Sequence, residues 1–507
     1  MVAVVPVPAL AHVLDAPVHV LVAVANPHEN NPSLLENLSP GGMKNKMKPN
    51  HPLINKLLRV FSRSSIPEEG IFHYRLEEND HKTRIHLRID PDGHGLLIIN
   101  ANRVIHLNPS ATIMAYLHLE GKSQLEISNA LHKKFQVSHS KAHQDFQEFS
   151  LQLEALLEPN GACPICDLNL ETTAPFSAKP SAPYRMDLAI TYRCNNNCSH
   201  CYNARSRQFP EMSVDNWKQV IDKVWDLRIP HVVFTGGEPT LFTGLVDLVQ
   251  YAEEKGLITG LNTNGRKLAN PEFLKALIDA GLDHVQITLE SHDSVIHDRM
   301  VAAKGAWDET VAGLKNVLAS RLYVMTNTTL LKQNCETIES TLHFLAKLGV
   351  PTIGLNALIY AGKGKDVGTG LREEELPPLL DTAREITESN HQQLIWYTPT
   401  QYCHFNPIQL NLGVKGCTAA LYNMCVEPNG DVIPCQSYYH SLGNLLEVAW
   451  EEIWKHPLAL KLRNRSDVPE GCKHCDFFPE CGGGCPLARE HQTIDPIQNP
   501  IFSISTK

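Results

Sequence analysis

The sequence predicts an α/β protein built on a parallel sheet of barrel or open-sheet type. Six apolar, strand-like segments alternate with helical patterns between about residues 187 and 358, which is typical of parallel α/β folds. Alternating apolar residues typical of antiparallel strands precede them, and a region dense in cysteine, glycine and proline follows from residue 403. We therefore expect a central α/β domain with a smaller domain before it and another after it in the chain.

The central domain is expected over residues 186–358. Its strand-like segments are short, apolar and rich in β-branched residues, and each is followed by a helical pattern. The six segments are DLAITY (187–192), HVVFTG (231–236), ITGLNTN (258–264), HVQITLE (284–290), YVMTNTT (323–329) and TIGLNAL (352–358).

Composition limits the class of protein. The chain has 507 residues, which at roughly 150 residues per domain suggests about three domains. Apolar residues make up 43% and charged residues 20%, so wholesale disorder is excluded. The net charge is −10, and no basic run is present, so nothing points to nucleic acid as a partner.

Residues 1–66 predict no domain. An apolar run near the start is interrupted by prolines, and no Lys or Arg precedes Lys44, so the basic region of a signal peptide is missing. A membrane span would need about 20 uninterrupted apolar residues. We expect a disordered extension, or upstream sequence included by a misplaced start, on a cytoplasmic protein that does not associate with membranes.

Residues 68–160 predict a small winged-helix-like domain. Ile85, Leu87 and Ile89 alternate before an Asp92-Gly93 turn, which indicates an antiparallel sheet. Three helical patterns follow, with Ser110 and Ser123 as expected N-caps.

The rest of the chain divides by composition. Residues 161–185 form a linker containing Cys163-Pro-Ile-Cys166, a pair that either binds a cluster or zinc with distant partners or is inert. Residues 359–402 predict a charged helical connector. Residues 403–490 predict a small domain held together by metal, and 491–507 form a tail.

The 14 cysteines indicate metal binding. Most lie two to five residues apart, whereas disulfide frameworks are typical of short secreted chains. Cys194, Cys198 and Cys201 directly follow the first strand of the α/β domain. Three thiolates can hold three irons of a four-iron cluster and leave the fourth open to a ligand. Zinc is the alternative, with His200 as the fourth ligand.

This Cys-x3-Cys-x2-Cys spacing after the first strand resembles radical S-adenosylmethionine (SAM) enzymes. The resemblance continues at Gly236, Gly237, Glu238 and Pro239, a segment that in that family binds the methionine amino group of SAM. Asn264 matches the family's third-strand segment, and Thr288 takes the place of a serine that contacts the ribose. The resemblance implies a partial (βα)6 TIM-like barrel with its site at the C-terminal ends of the strands.

The resemblance also implies the chemistry. A reduced [4Fe-4S] cluster cleaves SAM, and the resulting 5′-deoxyadenosyl radical abstracts hydrogen from the substrate. A low-potential donor such as a flavodoxin or ferredoxin would supply the electron. One departure is that many relatives read His-Asp-x-x-Arg-Gly after the fourth strand, whereas this chain reads His297-Asp298-Arg299-Met300-Val301.

The C-terminal cysteines resemble the SPASM domain, which binds one or two auxiliary iron–sulfur clusters. By that resemblance Cys417, Cys435 and Cys485 serve one cluster, with Cys403 or Cys425 as a possible fourth ligand; the other takes Cys472, Cys475 and Cys481. The seventh family cysteine is missing, because no cysteine follows Cys485. The second cluster would then use another ligand such as His491 or Asp495, lose a site, or be absent.

Residues 68–160 resemble the PqqD-like domain that binds leader peptides. The predicted function is therefore radical modification of a ribosomally made peptide, and a winged-helix domain that only braces the core is the alternative for this region. The rival substrates are a small molecule such as a tetrapyrrole, or a protein side chain. Sulfatase maturases carry an aspartate where this chain has Gln436, which disfavours that activity. The non-enzyme alternative is a zinc-held binding protein.

Overall fold

A computed structural model describes residues 21–23, 68–78, 81–100, 103–157, 171–172, 176 and 179–492. The chain forms two compact units. Among the described residues, those up to Ser181 belong to unit 1 and those from Ala182 onward belong to unit 2. Each unit has its own cluster of buried apolar side chains. Cys163, Cys166, Asp495 and most of the predicted extension lie outside the described residues.

Unit 1 contains a six-stranded sheet. Its strands are β1 (Leu21–Ala23), β2 (Gly70–Glu78), β3 (His81–Ile89), β4 (Gly95–Ile99), β5 (Arg103–Leu107) and β6 (Glu171–Thr172). The order is β2-β3-β4-β5-β1-β6, and β2 to β5 pair antiparallel as the alternation predicts. β1 lies within the stretch predicted as an extension, yet it pairs parallel with β5. The predicted turn closes with Gly93 at φ +83°.

Three helices follow the sheet, as predicted: α1 (Pro109–Leu119), α2 (Gln124–Phe135) and α3 (His139–Leu157). Ser123 caps α2 in a capping box with Glu126, which confirms that prediction. The prediction for Ser110 was wrong, because Asn108 caps α1. Pro109 occupies the first helical position, where its fixed φ starts a helix, so the cap is Asn108, two residues before the predicted Ser110.

Unit 2 is built around parallel strands that alternate with helices. In chain order these strands and helices are β7 (Arg185–Thr191), α4 (Val214–Asp226), β8 (His231–Gly236), α5 (Leu245–Lys255), β9 (Ile258–Thr263), α6 (Pro271–Asp279), β10 (His284–Thr288), α7 (Ser294–Val301), α8 (Ala306–Leu318), β11 (Tyr323–Thr329), α9 (Ile338–Leu348) and β12 (Thr352–Asn356). Every predicted strand is present, and neighbouring strands pair in parallel. The core forms where amphipathic helices cover the sheet; Trp217 and Val220 of α4 are fully buried.

The predicted helical connector also contains a strand. α10 (Leu376–Ser389) is followed by β13 (Gln393–Trp396), which adds to the sheet beside β12. The prediction missed β13 because a four-residue strand gives little period to detect.

The C-terminal region continues the same sheet at its other edge. A hairpin of β14 (Asn423–Val426) and β15 (Val432–Ile433) places β14 parallel to β7, so the full order is β13-β12-β11-β10-β9-β8-β7-β14-β15. Four short helices follow: α11 (Trp450–Trp454), α12 (Pro457–Arg463), α13 (Phe478–Cys481) and α14 (Pro486–Gln492). Over the described residues, no helix is both long and apolar enough to cross a membrane.

Candidate active site

The loop after β7 brings together Cys194, Cys198 and Cys201. Burial raises the pKa of the Cys194 thiol to about 11, and the charge of Cys201 adds to that shift. Burial also raises the pKa of Cys198, with further contributions from the charges of Cys201, Glu290 and Cys194. The three sulfur atoms therefore lie near enough to repel one another when ionised, which is the condition that a bound cationic metal relieves.

Backbone hydrogen bonds fix this loop on both sides. The Asn197 N–H donates to the Val301 carbonyl at the end of α7 (2.8 Å). On the other side, the carbonyl of Cys201 accepts the N–H of Lys363 (2.9 Å). The N–H of Asn196 points at the sulfur of Cys194 (3.4 Å), the kind of contact that stabilises a thiolate.

Gly236 and Gly237 pack directly against the chain that leads into this loop. The N–H of Gly237 donates to the Thr191 carbonyl (2.7 Å). A Cβ on Gly236 would lie 2.0 Å from that same oxygen, and one on Gly237 would lie 2.5 Å from the Arg193 carbonyl. Both positions therefore require glycine for close backbone approach.

Glu238 joins the ends of β8 and β9. Its buried carboxylate accepts hydrogen bonds from Thr263 Oγ1 (2.7 Å), from the Asn264 N–H (2.8 Å) and from both the N–H and the hydroxyl of Thr240. Burial raises the pKa of this carboxyl, and the four donors act against that shift. The structure thus gives Glu238 a positioning role that the sequence did not predict, while its contact with the SAM amino group stays a prediction.

Residues after β9 hold the cysteine loop in place. The Asn264 side-chain amide donates to Asn195 Oδ1 (2.7 Å). Arg266 donates to the Asn195 carbonyl (2.7 Å) and to Asn196 Oδ1 (2.8 Å). Pro239 is buried and begins the short 3-10 helix Pro239–Leu241.

His200 pairs with a carboxylate that the sequence reasoning missed. Its Nε2 lies 2.8 Å from Glu290 Oε1, and Glu290 Oε2 accepts the N–H of Thr329 (2.9 Å). Glu290 is 1% exposed and follows β10 closely, so a charged residue at the end of an apolar strand was the available signal. Because its Nε2 is engaged with Glu290, His200 links the cysteine loop to the ends of β10 and β11.

Polar side chains lie at or near the C-terminal ends of β10, β11 and β12. Thr288 ends β10 on the same face as Gln286, and its register partner is Asn327 on β11. Oδ1 of Asn327 and Oδ1 of Asn356 at the end of β12 are buried without hydrogen-bond partners. Unpaired buried polar atoms at the C-terminal ends of barrel strands fit a polar ligand such as SAM.

His297 and Asp298, in the segment that departs from the family pattern, both position neighbouring backbone. His297 is buried, and its Nδ1 accepts the N–H of Glu290 (3.2 Å). Asp298 accepts the N–H groups of Gly305 (2.5 Å) and Trp307 (2.8 Å), which fixes the start of α8.

Cys417, Cys435 and Cys485 form a second group of buried thiols. Burial raises the pKa of Cys485 to about 12, and the charge of Cys417 contributes. Burial likewise raises the pKa of Cys435, with the charges of Cys417 and Cys485 adding to the shift. Backbone N–H groups of Ser437 and Tyr438 point at the Cys435 sulfur, a feature that tunes iron–sulfur sites.

This second group is linked to the cysteine loop after β7. The Tyr202 hydroxyl, next to Cys201, donates to Gln436 Oε1 (3.3 Å), next to Cys435. Nearby, Arg205 makes two 2.7 Å hydrogen bonds to the buried carboxylate of Glu427.

Three other described cysteines, Cys425, Cys335 and Cys403, lie in different settings. Cys425 is fully buried within β14, opposite Asp187 of β7. Cys335 bonds weakly to the Lys332 carbonyl and joins none of the cysteine groups described above. Cys403 lies against the segment carrying Cys472, Cys475 and Cys481 rather than beside Cys417.

His491, an alternative ligand in the sequence reasoning, stacks on Tyr360 with ring centroids 4.4 Å apart. Among the described residues, no three His, Cys, Asp or Glu side chains converge tightly enough to hold a single metal ion. That spacing is compatible with a cluster, because each thiolate of a four-iron cluster binds a different iron and the sulfur atoms stay farther apart.

Comparison with known proteins agrees with this arrangement. The profile of the Radical SAM superfamily matches residues 188–345, and that of the SPASM iron–sulfur cluster-binding domain matches residues 417–476. The Fe-coproporphyrin III synthase of Methanosarcina barkeri is 30% identical over 58% of this chain and 81% of its own length. The mycofactocin maturase of Mycolicibacterium smegmatis is 26% identical over 64% of this chain and 83% of its own length.

The fold of one solved structure matches a larger share of this chain than these sequence alignments do. SuiB of Streptococcus suis, crystallised bound to the precursor peptide SuiA, superposes with a TM-score of 0.59 at 16% identity, covering 80% of this chain and 94% of that one. The radical SAM domain binds a [4Fe-4S] cluster together with SAM, and the SPASM domain binds auxiliary iron–sulfur clusters. The chain belongs to the radical SAM superfamily and is an enzyme of that superfamily with a C-terminal SPASM domain.

Proposed function

We propose that this enzyme modifies a ribosomally made peptide by radical chemistry at the loop that carries Cys194, Cys198 and Cys201. These residues would hold the [4Fe-4S] cluster, since the structure groups their thiols in a half-buried loop. When bound, the cluster and SAM supply a 5′-deoxyadenosyl radical that takes a hydrogen atom from the substrate.

The chain's own residues prepare this reaction by positioning. Gly236 and Gly237 let the backbone after β8 approach the cysteine loop, and Glu238 holds the Asn264 backbone at the end of β9. Thr288 and its register partner Asn327 offer polar groups for the proposed contact with the ribose. The His200–Glu290 pair holds the cysteine loop against the end of β10.

The observation that carries the peptide substrate is the extent of the match to SuiB. Unit 2 accounts for less than two thirds of the chain, so a match covering 80% has to extend into unit 1. Within unit 1, the nine-residue strand β2 stands first in the strand order of the six-stranded sheet. Peptides bind many domains as an additional strand at a sheet edge, and this mode is the one we propose for residues 68–160.

A tetrapyrrole is the second candidate substrate. It is favoured by the 30% identity to the Fe-coproporphyrin III synthase over 327 residues, a higher identity than the 26% to the mycofactocin maturase. That alignment spans 58% of this chain, which unit 2 alone is long enough to accommodate.

The test has two arms on the full chain, reconstituted without oxygen. With dithionite and SAM, we expect 5′-deoxyadenosine, and we expect a mass change in a short peptide encoded beside the gene but none in coproporphyrin III. A change in the porphyrin with no binding or change of the peptide would favour the second candidate.

The cysteine assignment has its own control. The triple variant Cys194→Ala, Cys198→Ala, Cys201→Ala should lose SAM cleavage by at least about 1000-fold, because an unligated site has no cluster to deliver an electron. Cys335→Ala should cleave SAM at the parent rate. Unchanged cleavage in the triple variant would overturn the assignment of the cluster to this loop.

A further inference from the structure

The segment Pro399–His404 lies against the C-terminal cysteines. The N–H of Tyr402 donates to the sulfur of Cys481 (3.4 Å), and that sulfur lies 3.6 Å from the Thr400 carbonyl. The N–H of Cys485 donates to the Pro399 carbonyl (3.1 Å). Hydrogen bonds that involve the backbone therefore hold Pro399–Tyr402 against Cys481 and Cys485. Cys403, the next residue, is fixed close to these cysteines.

A close approach of the backbone strengthens the contact. A Cβ on Gly484, which has φ +72°, would lie 3.0 Å from Cγ and 3.1 Å from the backbone nitrogen of Gln401. The rings of Tyr402 and Phe477 also lie near each other, tilted by 52° with centroids 6.4 Å apart. Both contacts involve the two residues that directly precede Cys403.

The turn that carries the other three cysteines is compact. The N–H of Cys475 donates to the Cys472 carbonyl (3.2 Å), and the N–H of Cys481 donates to the Phe477 carbonyl (2.8 Å). The pKa of Cys472 is raised, first by burial and then by the charges of Cys481, Cys403 and Cys475. The charge of Cys403 also acts on Cys481. The Cys403 thiol therefore lies near both Cys472 and Cys481, and the sulfur of Cys481 accepts the N–H of the adjoining Tyr402.

We propose that Cys403 is the fourth thiolate ligand of an auxiliary iron–sulfur cluster whose other ligands are Cys472, Cys475 and Cys481. The resemblance assigns three cysteines to this cluster, and the structure brings a further cysteine, from about 70 residues upstream, next to Cys472 and Cys481. Cys403 therefore does not complete the group formed by Cys417, Cys435 and Cys485. The proposal does not depend on the identity of the substrate.

Non-additive loss of iron tests the assignment. All variants carry Cys194→Ala, Cys198→Ala and Cys201→Ala, so that only auxiliary iron is counted. In a background that also lacks Cys417, Cys435 and Cys485, Cys403→Ala should remove between one and about four iron atoms per chain and change the electron paramagnetic resonance spectrum. In a background lacking Cys472, Cys475 and Cys481, the same substitution should change neither. The matched control, Cys335→Ala, should change neither in both backgrounds.

The reverse pattern would assign Cys403 to the group of Cys417 and overturn the proposal. No change in either background would show that Cys403 is not a ligand.

A second experiment needs none of these multiple-cysteine variants, so it applies even if one of them fails to fold. It measures how fast iodoacetamide alkylates Cys403 in the unsubstituted chain. Cys403 is exposed, so iodoacetamide should modify it rapidly once iron is removed by a chelator. In the iron-loaded protein, Cys403 should resist alkylation at least about tenfold better than in the chelated protein, because a metal-bound thiolate is not free to react. Cys335 should react at the same rate in both forms. Equal reactivity of Cys403 with and without iron would overturn the proposal.

Discussion

Gly236 has no room for a side chain. Its φ of +136° is in the region that favours glycine, and a Cβ would lie 2.0 Å from the Thr191 carbonyl oxygen. Because that oxygen belongs to the backbone at the end of β7, it cannot move without moving the start of the Cys194 loop.

Gly236→Ala should therefore disturb the loop as well as the local conformation. We expect the free energy of unfolding to fall by about 3 kcal/mol or more and iron bound at the loop to decrease, since strain and a backbone clash add. Gly305→Ala is the matched control: Gly305 has φ +78° but no atom within 4 Å of an added Cβ, so a loss of about 1 kcal/mol is expected. Thermal unfolding and iron analysis measure both effects. Equal losses in the two variants would contradict the steric argument.

Residues close together in the sequence were predictable, and those far apart were not. Cys194, Cys198 and Cys201 follow one another in a single loop, so their spacing alone indicated a shared site. Glu290 lies 90 residues from His200, and Cys403 lies 78 residues from Cys481. Partners at such separations are set by tertiary packing, which no local pattern encodes.

At the scale of elements, two histidines connect strands that are not neighbours. His231 begins β8 and His284 begins β10, and their Nε2 atoms lie 2.9 Å apart across β9. Gly260 of β9 makes this possible, because a Cβ there would lie 2.1 Å from the His284 ring. Burial lowers the pKa of His284 to about 4; the charge of Asp283 opposes this shift and that of Arg185 adds to it.

This depressed pKa predicts acid sensitivity. Below pH 6.5 the unfolded chain binds a proton at His284, whereas the folded chain binds it only near pH 4. The free energy of unfolding therefore falls as the pH is lowered from 6.5 to 4. The free energy of unfolding falls by about 3 kcal/mol at most for a fully buried histidine with this shift. His284→Gln should remove this part of the pH dependence, measured by urea unfolding at pH 7 and pH 5. His343→Gln, at an exposed residue, is the control and should behave as the parent. An unchanged slope in His284→Gln would contradict the assignment.

Element prediction followed the strength of each pattern. The six strands of the α/β domain were predicted because each is short, rich in β-branched residues and largely buried. The prediction missed three short strands, β13, β14 and β1, each of four residues or fewer. They pair with β12, β7 and β5, strands that are distant in the sequence or too weakly patterned to reveal the pairing.

At the scale of the whole molecule, the two units have separate cores. The core of unit 1 contains Ile85, Leu97 and Phe146, and that of unit 2 contains Trp217, Leu261 and Trp396. All six tryptophans lie between residues 217 and 454, so they belong to unit 2. Tryptophan fluorescence therefore reports the unfolding of unit 2 alone.

Removing iron should destabilise unit 2 selectively. A ligand that binds only the folded state stabilises it by mass action, and the cysteine groups described here all lie in unit 2. After chelation, we expect the fluorescence-detected Tm to fall by about 5 °C or more while the calorimetric transition of unit 1 stays in place. A parallel fall in unit 1 would instead indicate that Cys163 or Cys166 binds metal.

The parallel pairing of β14 with β7 has a consequence for electron transfer. β7 leads into the loop with Cys194, and β14 precedes Cys435 by nine residues, with Cys425 aligned to Asp187. Tyr202 and Gln436 add a side-chain link beyond the ends of the strands. Backbone hydrogen bonds within one sheet thus set the distance between the two proposed redox centres. The rate of electron transfer between them should therefore not vary with any hinge motion between domains.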